Sequence, residues 1–460
     1  MIDLNDIKKH YDGRPAAVFG LGVSGMSSTV ALLESGFDVL VWDDREDQRE
    51  KAKDYGAKIH DLTSDMPKDT AFLVLAPGVP LTHPAPHPVV KKAQSLGIEI
   101  LSDIELLHRA KPDTKTIGIT GTNGKSTTTA LIGHILKQAG KTVEVGGNLG
   151  LPALAFNDVG DDGIYVIELS SYQLDLCPTF KPDISILLNI TPDHLDRHGG
   201  IDGYAKAKSR IFGNGNTAIC SIDDQYCKNI LADAASAKKI SISLTDIGAE
   251  IFVKDNILFD GDQKVELQSI PNLKGAHNHQ NIMAAYAACR AAGLSVQEIE
   301  DGLHSFPGLE HRQKAVRTID GITFVNDSKA TNDEATAKAL SSFHNIYWIA
   351  GGQAKGPKYP ESAKYFDRIR HAYLIGEGAD DLATECEKYN VANTHSKILH
   401  AAVFKAYEDA LADIKQNKTD KAVVLLSPAC ASWDQFNNFE QRGQVFIECV
   451  NYLPNKLPNK

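Results

Sequence analysis

TIGITGTNGKSTTT, Thr116 to Thr129, decides the fold. Thr116 to Thr120 form an apolar, β-branched run; Gly121 and Gly124 then punctuate a short turn. Lys125 and Ser126 open an apolar-periodic stretch predicted as a helix from Ser126 to about Ala139. Strand, glycine turn, lysine and helix is the order in which unhindered backbone N–H groups and a helix N-terminus converge on a phosphate. Gly121, Thr122, Asn123, Gly124, Lys125, Ser126 and Thr127 are therefore the candidate phosphate cradle. Lys125 would supply charge to the β and γ phosphates and Ser126 a hydroxyl for Mg²⁺. The strict form of this loop has a glycine where Ile119 stands, so the pattern is a shortened GxxGKS variant.

Downstream, GIYVIELS (Gly163 to Ser170) and DISILLNI (Asp183 to Ile190) are almost continuously apolar, the mark of parallel strands buried on both faces. Each ends in polar residues. In open α/β sheets the carboxyl ends of strands border the ligand crevice. Glu168 stands at one such end, and His194, in NITPDHLDRHGG, follows the next. A carboxylate and an imidazole beside a phosphate loop suit a divalent ion bound to phosphates. Lys208, in YAKAKSRIF, shares an amphipathic helix with Lys206 and Arg210, and spacing alone assigns it to a solvated basic face.

Upstream, AAVFG, a helix from about Ser24 to Gly36 and DVLVWD form a parallel α/β unit. Its GLGVSG loop, Gly20 to Gly25, with Asp43 ending the next strand, fits a dinucleotide fingerprint. The same glycines would serve any diphosphate at a helix N-terminus, so NAD and other nucleotides stay open here. HRAKPDTK (His108 to Lys115) breaks this unit from the next. Residues 249 to 270 change to short alternating strands, a small antiparallel annex, before the Ala-rich helix that begins at HNHQN. A third open α/β sheet starts near Val316, with strands in GITFVND, NIYWIAGG, HAYLIGE and KAVVLLSPA. Its loops VNDSKATN (Val325 to Asn332) and SPACASWDQFNNFEQRG (Ser427 to Gly443) leave strands at the same edge and suit a small zwitterion or a nucleotide. Ser432 and Phe439, seven apart, would share one side if that stretch were helical. The expected division is 1–110, 111–314 and 315–460, three α/β domains, the outer two Rossmann-like and the central one ATPase-like.

Composition narrows the function. With 460 residues and a net charge of −11, the chain lacks the basic stripe that a nucleic-acid backbone would require. No apolar run approaches the length of a membrane span, and the first residues lack the apolar region of a signal peptide, so a cytoplasmic protein is expected. The seven cysteines are scattered without CxxC pairs and read as buried thiols rather than zinc ligands or a disulfide framework.

GTNGKST, ELSSYQLD, NITPDHLDRH, HNHQN and the pair His311–Arg312, in this order, resemble the ATP and metal motifs of the Mur ligases of peptidoglycan synthesis. NDSKATN and SPACASWDQFNNFEQRG resemble the family's D-glutamate-adding branch. The resemblance implies a UDP-binding first domain, an ATP-binding second and an amino-acid-binding third. It implies an ATP-dependent amide ligase acting on UDP-N-acetylmuramoyl-L-alanine and D-glutamate through an acyl phosphate. Val23, Ser24, Asp43, Asp44, Arg45 and Gly78 would then surround the uridine diphosphate, and Asn148, Ser170 and Gln173 would meet the muramoyl substrate. Where the family often has serine before the Pro-Gly turn this chain has Ala76, leaving the backbone of Gly78 to make that contact. Glu168 and His194 would hold Mg²⁺, and Lys208 matches a lysine carried as a carbamate, an anionic metal ligand. Asn281 would face adenine, Arg312 the phosphates and Asp327 the ribose. Lys329, Thr331, Lys355, Ser432 and Phe439 would bind D-glutamate. A monomer whose C-terminal domain closes over the acyl phosphate is expected. The alternatives are a folate polyglutamylating ligase, which needs no UDP domain, an NAD-dependent oxidoreductase read from GLGVSG alone, and a non-catalytic nucleotide-binding protein.

Overall fold

The computed structural model describes residues 1–11, 13–270, 272–273, 275–354 and 359–454. It divides into two compact units, Met1–Phe306 and Pro307–Lys460.

The first unit contains two sheets. In the first sheet, β1 (Ala16–Phe19), β2 (Val39–Trp42), β3 (Lys58–Ile59), β4 (Leu73–Leu75) and β5 (Ile100–Leu101) run parallel in the order β3-β2-β1-β4-β5. Alternation along β1 sends Ala16 and Val18 into one apolar layer and Ala17 and Phe19 into another. Both faces are covered, as an all-parallel sheet requires. The GLGVSG turn joins β1 to the helix Val23–Glu34, close to the boundary expected from periodicity.

The second sheet comprises β6 (Lys115–Thr120), β7 (Val143–Gly147), β8 (Ile164–Glu168), β9 (Ile184–Leu187), β10 (Thr217–Ser221), β11 (Lys238–Ser243), β12 (Ile251–Lys254), β13 (Ile257–Asp260) and β14 (Gln263–Glu266), ordered β14-β13-β12-β11-β10-β9-β6-β8-β7. The β12–β13 and β13–β14 pairs are antiparallel, forming the annex; the other pairs are parallel. From β6 the chain winds first to one side, through β7 and β8, then to the other, through β9. The carboxyl end of β6 is thus a topological switch point, where open sheets leave a crevice. Register aligns Ile119 with Glu168 and Thr120 with Leu187, so three strand ends meet there.

The second unit is a six-stranded sheet of β15 (Lys314–Ile319), β16 (Ile322–Asn326), β17 (Ile346–Gly351), β18 (Ile369–Ile375), β19 (Asn393–Lys397) and β20 (Ala422–Leu426), ordered β15-β16-β20-β17-β18-β19. Only β15 is antiparallel. Tyr347 and Ile349 enter the layer beneath the helix Leu399–Lys415, while Ile346, Trp348 and Ala350 enter the opposite layer. Trp348 is completely buried, and its indole N–H donates to Ser427 O at 2.8 Å, so burial of the ring, on the order of 2 to 3 kcal/mol, leaves no polar atom unpaired. The adjacent ends of β16 and β20 carry the two polar loops singled out in the sequence, at one edge as expected. All seven cysteines are buried free thiols, and among the described residues no helix is long and apolar enough to cross a membrane.

Candidate active site

The site is built outward from the end of β6. Gly121 (φ +147°) and Gly124 (φ +88°) hold conformations that side chains resist, and a Cβ on Gly124 would stand 2.3 Å from Asn281 Oδ1. The helix Lys125–Gln138 begins directly after them. The loop is pinned from β9's end: Asn189 Oδ1 accepts from Asn123 N at 2.8 Å, Asn189 Nδ2 donates to Asn123 O at 3.1 Å, and Thr122 N donates to Asn189 O at 2.9 Å. Gln280 fixes the Asn189 amide by accepting from Nδ2 at 2.8 Å and donating to Ser221 Oγ at 2.9 Å. This clamp was not read from the sequence, although Asn189 ending an otherwise apolar strand was a visible signal.

Lys125 Nζ donates to Gly121 O at 2.9 Å and Thr122 O at 2.8 Å, which keeps the ammonium at the loop. Lys208 Nζ donates to the same Gly121 carbonyl at 2.8 Å and to Thr120 Oγ1 at 3.3 Å, with the Tyr204 ring 4.6 Å away. Lys208 is 1% exposed. The solvated basic face expected from spacing is therefore wrong for this residue: the helix Ile201–Ser209 packs its Tyr204, Ala205, Ala207 and Lys208 inward. Burial first, and the neighbouring Lys125 cation second, hold the Lys208 amine well below the usual lysine range.

Glu168 ends β8 and is 2% exposed. Asn148, just beyond β7, donates from Nδ2 to Glu168 Oε1 at 2.8 Å, while Oε2 is buried without a hydrogen-bond partner. Asn148 thus orients the carboxylate that was expected to hold metal. His194 adopts φ +51° at the start of the helix Leu195–His198; its side chain is 52% exposed and its ring centroid lies 5.2 Å from that of Tyr172. Partial burial, opposed by Asp193 and aided by the cations Lys125 and Lys208, lowers its pKa and so favours the neutral imidazole, the form that binds metal. Ser170 and Gln173 form a capping box on the helix Ser171–Asp175, Ser170 Oγ accepting from Gln173 N at 3.2 Å and Gln173 Oε1 accepting from Ser170 N at 3.0 Å. Asn281 accepts from Thr128 Oγ1 at 3.2 Å and backs the glycine loop.

These residues fit Mg²⁺ in a particular way. The orphaned Glu168 oxygen asks for a cation, yet among the described residues no group of three or more His, Cys, Asp or Glu converges as a metal cage. Mg²⁺ is ordinarily held by one or two protein ligands plus substrate phosphates, which is what this donor set can provide.

In the first sheet, Gly25 is obligatory, since a Cβ there would meet Gly20 O at 1.8 Å. Asp43 accepts from Leu21 N at 2.5 Å and Arg45 N at 2.9 Å, tying the glycine loop to the next turn. Val23 is 76% exposed at that turn, with Ser24 half-buried and Asp44, Arg45 and Gly78 exposed. Ala76 packs beside Gly20, where an added Cβ would lie 2.6 Å away.

In the second unit Asp327 is buried, accepting from Ser427 Oγ at 2.8 Å and Gln313 N at 3.1 Å; burial pushes its carboxyl up to about 7 against the hydrogen bonds and Arg312. Lys329 Nζ stands 4.7 Å over the Phe439 ring. Thr331 N donates to Lys329 O at 2.9 Å, and Ser432 is buried. Ser432 and Phe439 do not share a helix: Asn438 caps the helix Phe439–Asn451, leaving Ser432 in the preceding loop. Lys355 lies outside the described residues.

Family models match along the chain in order: the MurD-like N-terminal domain of Mur ligases over residues 14–102, the Mur ligase middle domain over 119–289 and the Mur ligase glutamate ligase domain over 311–430. A UDP-N-acetylmuramoylalanine–D-glutamate ligase from Caulobacter sp. (strain K31) is 46% identical, covering 96% of this chain and 97% of its own. The enzyme of that name from Brucella abortus (strain 2308) is 45% identical, covering 97% of each. Among solved structures, the UDP-N-acetylmuramate–alanine ligase of Thermotoga maritima superposes with a TM-score of 0.61 at 15% identity, covering 95% of this chain and 99% of that one. E. coli FolC gives 0.53 at 18% identity, covering 76% and 93%. At these identities the structural matches speak for the fold alone.

Proposed function

The chain belongs to the Mur ligase family, and from that membership we propose how it acts: as an ATP-dependent ligase it adds D-glutamate to UDP-N-acetylmuramoyl-L-alanine in peptidoglycan precursor synthesis. In this reading residues 1–110 hold the uridine diphosphate, 111–314 the ATP and 315–460 the amino acid. The folate alternative is not favoured, because the chain aligns with D-glutamate ligases over nearly its whole length.

The observation that carries the chemistry is the convergence of Glu168, with a bare buried oxygen, and buried Lys208 on the glycine loop that holds Lys125. A carboxylate condenses poorly with an amine because it is a weak electrophile and lacks a good leaving group. Transfer of the γ-phosphoryl solves both problems. The substrate carboxylate oxygen bonds to phosphorus, the bond to ADP breaks, and an acyl phosphate results. Lys125 and the loop N–H groups offset the repulsion between the anions and stabilise the charge spread over the transferring group. Ser126, Glu168, His194 and a carbamate on Lys208 would, together with the phosphates, hold Mg²⁺ ions, which would supply further neutralisation. The amine of D-glutamate, bound by Lys329, Thr331, Lys355, Ser432 and Phe439, attacks the acyl carbon, and phosphate leaves as the amide forms. Asn281, Arg312 and Asp327 complete the nucleotide contacts, with Val23, Ser24, Asp43, Asp44, Arg45 and Gly78 on the uridine diphosphate.

Burial disfavours the charged form of the Lys208 amine, and the neutral amine is the species that can attack carbon dioxide. Its nitrogen bonds to carbon, a proton leaves to solvent, and an anionic carbamate replaces a cation that would repel Mg²⁺. A cytoplasmic monomer belongs to the same reading, since ATP and nucleotide-linked precursors are cytoplasmic metabolites. The deciding assay is phosphate release from ATP with UDP-N-acetylmuramoyl-L-alanine, comparing D-glutamate with L-glutamate, lysine and diaminopimelate. Turnover confined to an amino acid other than D-glutamate would overturn the substrate assignment.

A further inference from the structure

Arg442, on the helix Phe439–Asn451, is 0% exposed. Its guanidinium spends its donors on three separate loops. Nε donates to Ser328 Oγ at 3.0 Å, and Nη2 to Ser328 O at 2.8 Å and Cys430 O at 3.2 Å. Nη1 faces Cys430 O at 3.2 Å, Ala431 O at 3.4 Å and Gly351 O at 3.5 Å. Among the described residues no carboxylate forms an ion pair with it, and burial lowers its pKa to about 10, with Asp434 and Cys430 opposing. The surrounding backbone is tightly fitted. Ala429 holds φ +58°, Gln353 and Ala431 exchange N–H···O bonds of 2.9 Å in both directions, and a Cβ on Gly352 would meet Ala431 O at 2.2 Å and Arg442 Nη1 at 3.1 Å.

Two of the loops that Arg442 grips run into candidate glutamate contacts: Ser328 precedes Lys329 and Ala431 precedes Ser432, while Phe439 lies three residues before Arg442 on the same helix. Ser328 Oγ also donates to Phe439 O at 2.8 Å, closing the circuit. A guanidinium spreads five donors over three nitrogens in a fixed plane and so reaches carbonyls on separate loops, whereas a lysine ammonium has three donors on one atom. A desolvated cation also sets a positive potential among these loops, offset in part by Asp434.

We propose that Arg442 is the positioning residue of the amino-acid acceptor site: it fixes the three loops in one register and biases the site toward an acceptor with an anionic side chain. This rests on the reading that D-glutamate is the acceptor. The two contributions separate by variant. Arg442→Lys keeps the charge and loses the fork, so the KM for D-glutamate rises on the order of tenfold to a hundredfold, the scale expected when bound groups are misplaced by about an ångström. The KM values for ATP and UDP-N-acetylmuramoyl-L-alanine stay near wild type. Arg442→Gln loses the charge as well and narrows the preference for D-glutamate over D-glutamine, which Arg442→Lys retains. Ser328→Ala, which deletes one acceptor of the fork, raises the D-glutamate KM alone and by less, and decides the matter if the arginine variants do not fold. An unchanged D-glutamate KM in Arg442→Lys and Ser328→Ala, or a parallel rise in all three KM values with a lowered unfolding temperature, overturns the proposal. If the wild-type chain turned over only another amino acid, the functional reading would fall, and the same ratio of KM values measured with that amino acid would judge Arg442.

Discussion

Asp327→Asn should stabilise the second unit, by an amount that grows with pH and then levels. The wild-type carboxyl is pushed up from 3.8 to about 7 by burial. Below pH 3.8 both folded and unfolded chains hold the proton; above about pH 7 neither does. Between these limits the folded state binds more protons, so stability falls as pH rises through the window. Three units at about 1.4 kcal/mol each give roughly 4 kcal/mol as the upper bound, lowered by whatever water reaches the ionised group. The asparagine side chain fits the same space: its carbonyl accepts from Gln313 N, its amide N–H donates to Ser427 Oγ, and the Ser427 O–H, freed from the carboxylate, turns to Thr336 Oγ1, 3.2 Å away. Denaturant unfolding of the full chain between pH 4.5 and 8.5, followed by hydrogen exchange in β16 and β20 so that the second unit is seen separately, measures the difference. It should be small at the acid end and approach its plateau near about pH 8. A difference independent of pH would refute the reasoning, because the asparagine would then be acting through packing and not through the proton. With Asp327 on the ribose, the same variant should raise the KM for ATP.

Asn148→Ala removes the N–H that orients Glu168, and the Mg²⁺ concentration required for half-maximal activity should rise about 10- to 100-fold, the usual cost of losing a partner of a metal ligand; an unaltered Mg²⁺ titration would dissociate Glu168 from the metal. Gly124→Ala forces a side chain into φ +88° with its Cβ 2.3 Å from Asn281 Oδ1, at about 1 to 2 kcal/mol for the backbone alone, so both the unfolding midpoint and ATP affinity should fall; unchanged ATP binding calorimetry would remove the loop from the nucleotide site. Removing dissolved carbon dioxide should lower wild-type turnover and bicarbonate should restore it, while Lys208→Ala should be weak and indifferent to both; full activity of that variant would end the carbamate assignment.

The order of elements was legible because periodicity and glycine placement report backbone geometry directly. The strand–loop–helix at Thr116, the alternating annex after residue 249 and the shared edge of the loops at Asp327 and Ser427 all follow from local pattern. The antiparallel strand β15 was missed although its signal was present: KAVRTI passes through Asp320–Gly321, both at positive φ, straight into β16, the two-residue turn of a tight hairpin. The end of the Ser432 segment was not legible: a seven-residue spacing suits one helix face, but Asn438 caps the helix and begins it at Phe439. A cap is a competition between side chain and backbone for the same N–H, and spacing does not weigh it.

Buried charge was the least legible feature, for a reason that spans both units. A lysine on an amphipathic helix reads as solvated because desolvating an ammonium is costly; Lys208 is buried because its helix packs against the glycine loop, where Gly121 O and Thr120 Oγ1 receive it. Arg442 is buried because three loops turn carbonyls toward it, and those loops are separated in the chain by up to about a hundred residues. In both cases the compensating acceptors come from elsewhere in the fold, so no local pattern contains them. Such groups persist only where the surroundings supply their hydrogen bonds, which makes each a statement about the loops around it. Lys208 thereby reports the geometry of the glycine loop and Arg442 that of the loops following β16 and β20. The chemistry of the first is separable from the positioning of the second: Lys208→Ala should depress turnover at any D-glutamate concentration, whereas saturating D-glutamate should recover most of the turnover of Arg442→Lys.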